Sequence, residues 1–177
     1  MTGSANGTPV VLQNQTAGKN QEWLFRPPRL YFAYGSNLLQ AQMDRLYKGN
    51  RFVGPAIIIG GRRWFVDNLG YVNIVRSPDD LVYGLVYEIS LKNEDDMDIS
   101  EGFPDLYTKE TMRIELEVKG KKSLEQGLVY FDPKNLAEGK PTPEYIKLMN
   151  TALKDAVPRG IPQWYVDEYI HKFIPAE

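Results

Sequence analysis

Apolar positions fall into two periods along the chain. Residues 30–34, Leu-Tyr-Phe-Ala-Tyr, form an unbroken apolar and aromatic run and read as a buried strand. Gly35-Ser36-Asn37 interrupts the run. Over residues 38–47, Leu39, Met43, Leu46 and Tyr47 recur on one face, which predicts a short helix. Residues 52–59 end in Ile57-Ile58-Ile59 and break at Gly60-Gly61, a second strand. Strands are predicted over 71–75 and 81–89, joined through Ser77-Pro78-Asp79-Asp80, whose proline and aspartate suit a type I turn. Ser90 is placed to cap a helix over 91–100, which Gly102 and Pro104 end.

Met112, Ile114, Leu116 and Val118 alternate with polar residues, so 107–118 reads as a long half-buried strand. A charged hairpin, Lys119-Gly120-Lys121-Lys122, leads to a further strand over 127–131. Thr142-Pro143-Glu144 has the cap, the proline and the acid of a helix start. Tyr145, Leu148, Met149, Ala152, Leu153 and Ala156 then share one face, and Pro158 and Gly160 close that helix. Pro162 opens a last one, with Tyr165, Tyr169, Ile170 and Phe173 inward. Strands and helices in this order predict an α+β fold with a mostly antiparallel sheet.

Composition narrows the function. The chain has 177 residues, enough for one domain, and 42% are hydrophobic, with 11 Tyr, 7 Phe and 3 Trp to fill a core. We expect a flexible tail over 1–26, with at most a short strand near residues 9–12, and a single domain over 27–177. The tail lacks the pattern of a signal peptide, so its two Asn-x-Thr triplets, at Asn6 and Asn14, read as chance composition. Lys and Arg number 21 against 23 Asp and Glu, so no basic stripe is available for nucleic acid. No apolar stretch is long enough to span a membrane. There is no cysteine, which removes disulfides and thiolate metal sites and favours a cytoplasmic location.

His171 is the sole histidine, and it reads as a surface residue. Ser36 lacks a nucleophile elbow, so a Ser-His-Asp triad is not expected. Histidine or cysteine zinc sites and a P-loop are also missing from the residue inventory. Any catalysis must rest on carboxylates, tyrosines, hydroxyls and backbone groups.

Two places could carry it. In the acidic stretch 93–101, Glu94, Asp95 and Asp96 read as a solvated helix face, and the spacing does not suit a calcium loop. Glu101 differs. It follows Met97 by one helical turn, and it stands at a helix C-terminus, where the dipole disfavours negative charge. Partial burial would raise its pKa further, toward a value useful for proton transfer; an ordinary structural role is the alternative. The Gly35-Ser36-Asn37 turn, entering a helix, would offer unpaired N–H groups to a carboxylate or an oxyanion, or would simply be a capped turn.

Together these pieces resemble the γ-glutamylcyclotransferase family. The resemblance lies in Leu30-Tyr31-Phe32-Ala33-Tyr34-Gly35-Ser36-Asn37-Leu38, in Ser77-Pro78 before Val82-Tyr83-Gly84-Leu85-Val86-Tyr87, in Met97-Asp98-Ile99-Ser100-Glu101-Gly102 with Tyr107 following, and in Pro141-Thr142-Pro143-Glu144-Tyr145. It runs in order from about Leu30 to Phe173.

The resemblance implies a small mixed, mostly antiparallel β-barrel flanked by helices. It implies a pocket between the first-strand loop and the end of the acidic helix. It also implies cyclisation of a γ-glutamyl amide to 5-oxoproline with release of an amine or amino acid, without metal or organic cofactor. Glu101 would be the catalytic proton carrier. Tyr31, Phe32, Ala33, Tyr34, Gly35, Ser36, Asn37, Tyr107 and Tyr145 would surround the substrate; for Tyr107 and Tyr145, core packing is the alternative. The expected partner is a small γ-glutamyl molecule, and the protein a monomer or homodimer.

Here Phe103-Pro104-Asp105-Leu106 is the whole spacer before Tyr107, and Met97 replaces a usual leucine. The leaving group therefore stays open. Trimming of a glutathione adduct or of a protected biosynthetic intermediate is one alternative, and a non-catalytic binding protein with the same pocket is another.

Overall fold

The computed structural model describes residues 28–177. The expected tail, its possible strand and the two Asn-x-Thr triplets lie outside the described residues. Five strands close into a barrel in the order β1 (Arg29–Ala33), β5 (Tyr83–Ile89), β2 (Arg51–Ile58), β6 (Thr108–Val118) and β7 (Lys121–Phe131). The β1–β7 pairing is parallel and the other pairings are antiparallel, so the barrel is mixed as expected.

A second, two-stranded sheet pairs β3 (Arg62–Val66) with β4 (Val72–Arg76). β3 corrects the sequence reading, which placed no strand between Gly60-Gly61 and residue 71. Its two arginines hide the pattern, yet Trp64, Phe65 and Val66 are buried. β7 also begins six residues earlier than expected. The polar segment from Lys121 pairs residue by residue with β6, as a ribbon that leaves the core. Lys119 and Gly120 turn it, both with positive φ (51° and 74°), which matches a two-residue hairpin turn.

The helix expected over 38–47 is split. A 3-10 turn spans Ser36–Leu38, Leu39 is extended, and helix α1 covers Gln40–Leu46. Met43 and Tyr47 are buried as expected, but Leu46 faces outward. Helix α2 (Leu91–Ser100) starts at the anticipated cap, where Ser90 Oγ accepts from the Asn93 N–H and Asn93 Oδ1 accepts from the Ser90 N–H. Helix α3 (Pro143–Ala156) begins with Thr142 Oγ1 accepting from the Tyr145 N–H. The final helix opens with α4 (Gln163–Tyr165) and continues as a π-helical turn over Val166–Ile170.

The core joins the barrel interior to these helices, with Phe32, Trp64, Phe65, Tyr87, Met97 and Tyr165 fully buried. Gly84 is required by close packing. A Cβ there would lie 2.4 Å from the Ala33 carbonyl oxygen and 2.5 Å from the Phe32 ring.

The acidic helix is also corrected. Glu94 does not lie on a solvated face. It is 7% exposed and accepts from Arg29 Nη1 at 2.8 Å and from Lys109 Nζ at 2.8 Å. Asp98 accepts from the same lysine at 2.7 Å and from the Tyr130 hydroxyl at 2.6 Å. Asp95 is exposed as expected, and Asp96 pairs with Lys92 on the surface. This network ties α2 to β1, β6 and β7, and so sets where the end of the helix falls.

Candidate active site

A cavity of about 480 Å³ opens where the end of β1, the end of α2 and the start of α3 converge. Tyr31, Tyr34, Gly35, Ser36, Asn37, Glu101, Tyr107 and Tyr145 all line it. Phe32 and Ala33, expected beside them, do not. Both are 0% exposed, so they serve the core, with the Phe32 ring against Gly84. Their neighbours Tyr31, in the middle of β1, and Tyr34, just past its end, reach the cavity.

Glu101 is the C-cap of α2, and its N–H donates to the Met97 carbonyl at 2.8 Å. Met97 beneath it is fully buried. The chain then turns through Gly102 at φ +64°, and Leu106 folds back over that glycine. Among the described residues, the Glu101 carboxyl has neither a hydrogen-bond donor nor a cation as partner. Burial pushes its pKa up from 4.5 to about 7. Desolvation is the cause; the helix dipole is not needed to account for it.

The opposite wall is the 35–38 turn. The Leu38 N–H donates to the Gly35 carbonyl and the Leu39 N–H to that of Ser36, while the Tyr34 carbonyl accepts from Trp64 Nε1 at 2.9 Å. The N–H groups of Gly35, Ser36 and Asn37 have no acceptor among the described residues. Side chains of the turn are already engaged: Gln42 Nε2 donates to Ser36 Oγ and to Asn37 Oδ1, each at 2.9 Å. Asn37 Nδ2 in turn donates to the Tyr31 hydroxyl at 2.9 Å, which leaves that phenol's own proton for the cavity.

The tyrosines divide by partner. Tyr34 donates to the Tyr130 carbonyl at 2.6 Å, and Tyr107 to the Val72 carbonyl at 3.1 Å, so both hydroxyls brace the wall. Tyr145 stands near the turn; a Cβ placed on Gly35 would be 3.7 Å from its hydroxyl. Burial raises the pKa values of Tyr31, Tyr34, Tyr107 and Tyr145, and Glu101 adds to each, so all four are neutral hydroxyl groups.

Leu69, Tyr71, Val72, Ser100, Leu106, Tyr130, Asp132 and Leu148 complete the lining and were missed in the sequence. They come from strands, turns and the helices α2 (Ser100) and α3 (Leu148), brought together only by folding. Asp132 had one local signal. Its Oδ1 accepts from the N–H groups of Lys134 and Asn135, a turn that Asp-Pro-Lys-Asn spells out. His171 does not line the cavity. Among the described residues, no group of three or more His, Cys, Asp or Glu is disposed to hold a metal ion. No helix there is long and apolar enough to cross a membrane.

The family described as γ-glutamyl cyclotransferase, AIG2-like, matches residues 31–147, and the chain belongs to it. No curated protein matches the chain. Among solved structures, one named γ-glutamyl cyclotransferase shares 23% identity at a TM-score of 0.70, covering 84% of this chain and 89% of its own. An uncharacterized human protein shares 24% at a TM-score of 0.70, with 86% and 90% covered. A yeast γ-glutamyl cyclotransferase described as specific to glutathione shares 17% at 0.52, with 85% and 98% covered. At these identities the likeness is one of fold.

Proposed function

We propose that the protein is a cofactor-independent γ-glutamylcyclotransferase, and that Glu101 is its catalytic residue. The observation that carries this reading is a carboxyl with a pKa near 7 and no partner among the described residues, facing a turn whose backbone N–H groups are unengaged by those residues, across one cavity. A group titrating near neutrality can accept a proton in one step and return it in the next.

The substrate's α-ammonium gives a proton to the Glu101 carboxylate. The freed amine attacks its own γ-carbonyl carbon, and the N–C bond closes the five-membered ring. Negative charge develops on the γ-oxygen, within reach of the N–H groups of Gly35, Ser36 and Asn37, which bind that oxygen or hold the α-carboxylate. Glu101 passes this proton to the departing nitrogen, and the ring nitrogen, positively charged after the attack, gives its surplus proton to the same carboxylate, which hands it to the released amine. The original C–N bond breaks, releasing 5-oxoproline and the amine, and the carboxylate is regenerated.

Both nitrogens belong to one small molecule, so a single carboxyl reaches each. Ring closure also carries the advantage of intramolecular reaction, and the cavity need only hold the folded conformer. Release of 5-oxoproline from γ-glutamyl amides, measured for wild type and Glu101→Gln, tests the reading. Loss of product in the variant supports it, whereas equal rates would remove Glu101 from the chemistry.

A further inference from the structure

The turn that faces Glu101 is held from behind by a side chain that does not reach the cavity. Gln42 lies in the first turn of α1, outside the lining. Its position is fixed. The Gln42 N–H donates to the Leu39 carbonyl at 3.1 Å, and Met43 beside it is fully buried. The start of α1 is also tied to α3, because the Gln40 N–H donates to Asp155 Oδ2 at 2.8 Å.

A glutamine amide nitrogen carries two protons. Gln42 Nε2 directs one to Ser36 Oγ and the other to Asn37 Oδ1. With Oδ1 engaged, Asn37 presents Nδ2 to the Tyr31 hydroxyl and donates to it. Asn37 and Tyr31 are 7% and 5% exposed, so water competes little for these groups. The phenol's single proton is not used within the chain of bonds and is left for the cavity that Tyr31 lines. Gln42, Asn37 and Tyr31 thus form a relay of one polarity, with each donor pointing from α1 toward the cavity.

The reverse polarity would use the same atoms. Gln42 would accept from Ser36 and Asn37, Asn37 would accept from Tyr31, and Tyr31 would show only lone pairs to the cavity. The cavity's own charges oppose it. Among the described residues, Glu101 and Asp132 line the cavity and no Lys, Arg or His does. An O–H proton aimed at two carboxylates is favoured over lone pairs in the same place.

The lack of a lining cation also decides what the relay is for. Every γ-glutamyl compound carries an α-carboxylate. Among the described lining residues that group meets neutral donors: the N–H groups of Gly35, Ser36 and Asn37, and the Tyr31 O–H. A hydrogen bond to a charged group is stronger than one between neutral groups, so the direction of the Tyr31 proton matters.

We infer that Gln42 is a positioning residue for substrate recognition: acting through Asn37, it fixes the Tyr31 hydroxyl as a donor to the α-carboxylate of the γ-glutamyl unit. The identity of the ligand rests on the cyclisation reading, but the relay can be read by binding alone.

Reversing the polarity tests it. Gln42→Glu keeps the shape but replaces both donors with acceptors, so Asn37 donates to it and then accepts from Tyr31. Gln42→Lys departs further in shape but only donates. Ala41→Glu adds the same charge at the exposed neighbouring position without touching the relay. Two measurements are made on each protein. One is kcat and KM for 5-oxoproline release from γ-glutamylalanine. The other is calorimetric binding of 5-oxoproline, which retains the α-carboxylate and needs no turnover.

Gln42→Glu should raise KM and weaken binding by about tenfold or more, as for a lost hydrogen bond to a charged group. Its kcat should stay within about threefold of wild type, because the α-carboxylate is held alike before and during ring closure. Gln42→Lys and Ala41→Glu should stay within about threefold of wild type in every value. A packing role predicts the opposite order, since glutamate matches glutamine in shape and lysine does not. A larger loss in Gln42→Lys than in Gln42→Glu would therefore overturn the relay. An equal loss in Ala41→Glu would overturn it too, by reducing the effect to bulk charge, as would a wild type that binds no 5-oxoproline. Weakened binding in Gln42→Glu, in a protein that releases no 5-oxoproline, would leave the relay standing and sink the cyclisation. Turnover with unchanged KM and binding in Gln42→Glu would do the reverse.

Discussion

Glu94 and Glu101 stand seven residues apart on one helix, two turns along, and the fold treats them in opposite ways. Glu94 is held between Arg29 and Lys109, and its charge is matched. Glu101 has no such partner among the described residues, and burial alone lifts its pKa to about 7. A paired carboxylate fastens elements together but cannot readily release or take a proton. An unpaired one in the same solvent-poor setting stabilises nothing when ionised, and it is poised for proton transfer. The contrast lies in what β1 and β6 bring across the helix, because both residues are glutamates two turns apart on it.

The sharpest way to break this comparison is to neutralise each residue. Glu101→Gln should lower kcat/KM for 5-oxoproline release by about 10³-fold, within the range for a lost general acid–base. Glu94→Gln, by contrast, should cost about 2–3 kcal/mol in urea unfolding while each folded molecule keeps most of its activity. The loss leaves Arg29 and Lys109 beside a buried neutral group. An inactive but stable Glu94→Gln protein would invert the assignment.

The pH dependence sharpens it further. A folded pKa of about 7 against 4.5 means that the folded state holds a proton the unfolded state releases. Stability from Glu101 is therefore fully present below pH 4.5 and is lost as pH rises through about 7. Glu101→Gln should gain on the order of 2 kcal/mol over wild type at pH 8, a shift discounted for residual solvent, and nothing at pH 4. The same titration should make wild-type kcat/KM fall as pH drops below about 7, because the base form disappears. Thermal melts and rate profiles at matched pH check both signs.

Ser36→Ala should have the smallest effect, about threefold or less on kcat/KM. Its hydroxyl already accepts from Gln42, and the turn offers its backbone N–H groups instead. A loss as large as that of Glu101→Gln would shift the chemistry to the hydroxyl.

Much of the frame was legible in the chain itself. Residues 30–34 announce a buried strand, Ser90-x-x-Asn93 a capped helix, and Thr142-Pro143-Glu144 a helix start, because caps and apolar runs act locally. Glu101 was legible for the same reason, standing one turn after Met97 and just before a glycine. β3 was not, since its arginines mask three buried residues, and its strand character depends on pairing with β4. Glu94 was misread because a helix face looks solvated until another element covers it.

The chain's own order of residues determined which segments become strands and helices, and it placed one carboxyl at a helix end and one glycine turn after the first strand. Only the tertiary structure decided that these two face each other across a cavity, that Phe32 and Ala33 stay out of it, and that Leu69, Tyr71 and Leu106 line it while staying exposed. Secondary structure follows from interactions a few residues long, whereas solvent exclusion at Glu101, and the lack of a cation near it among the described residues, depend on segments 30 to 70 positions away that meet only when the barrel closes.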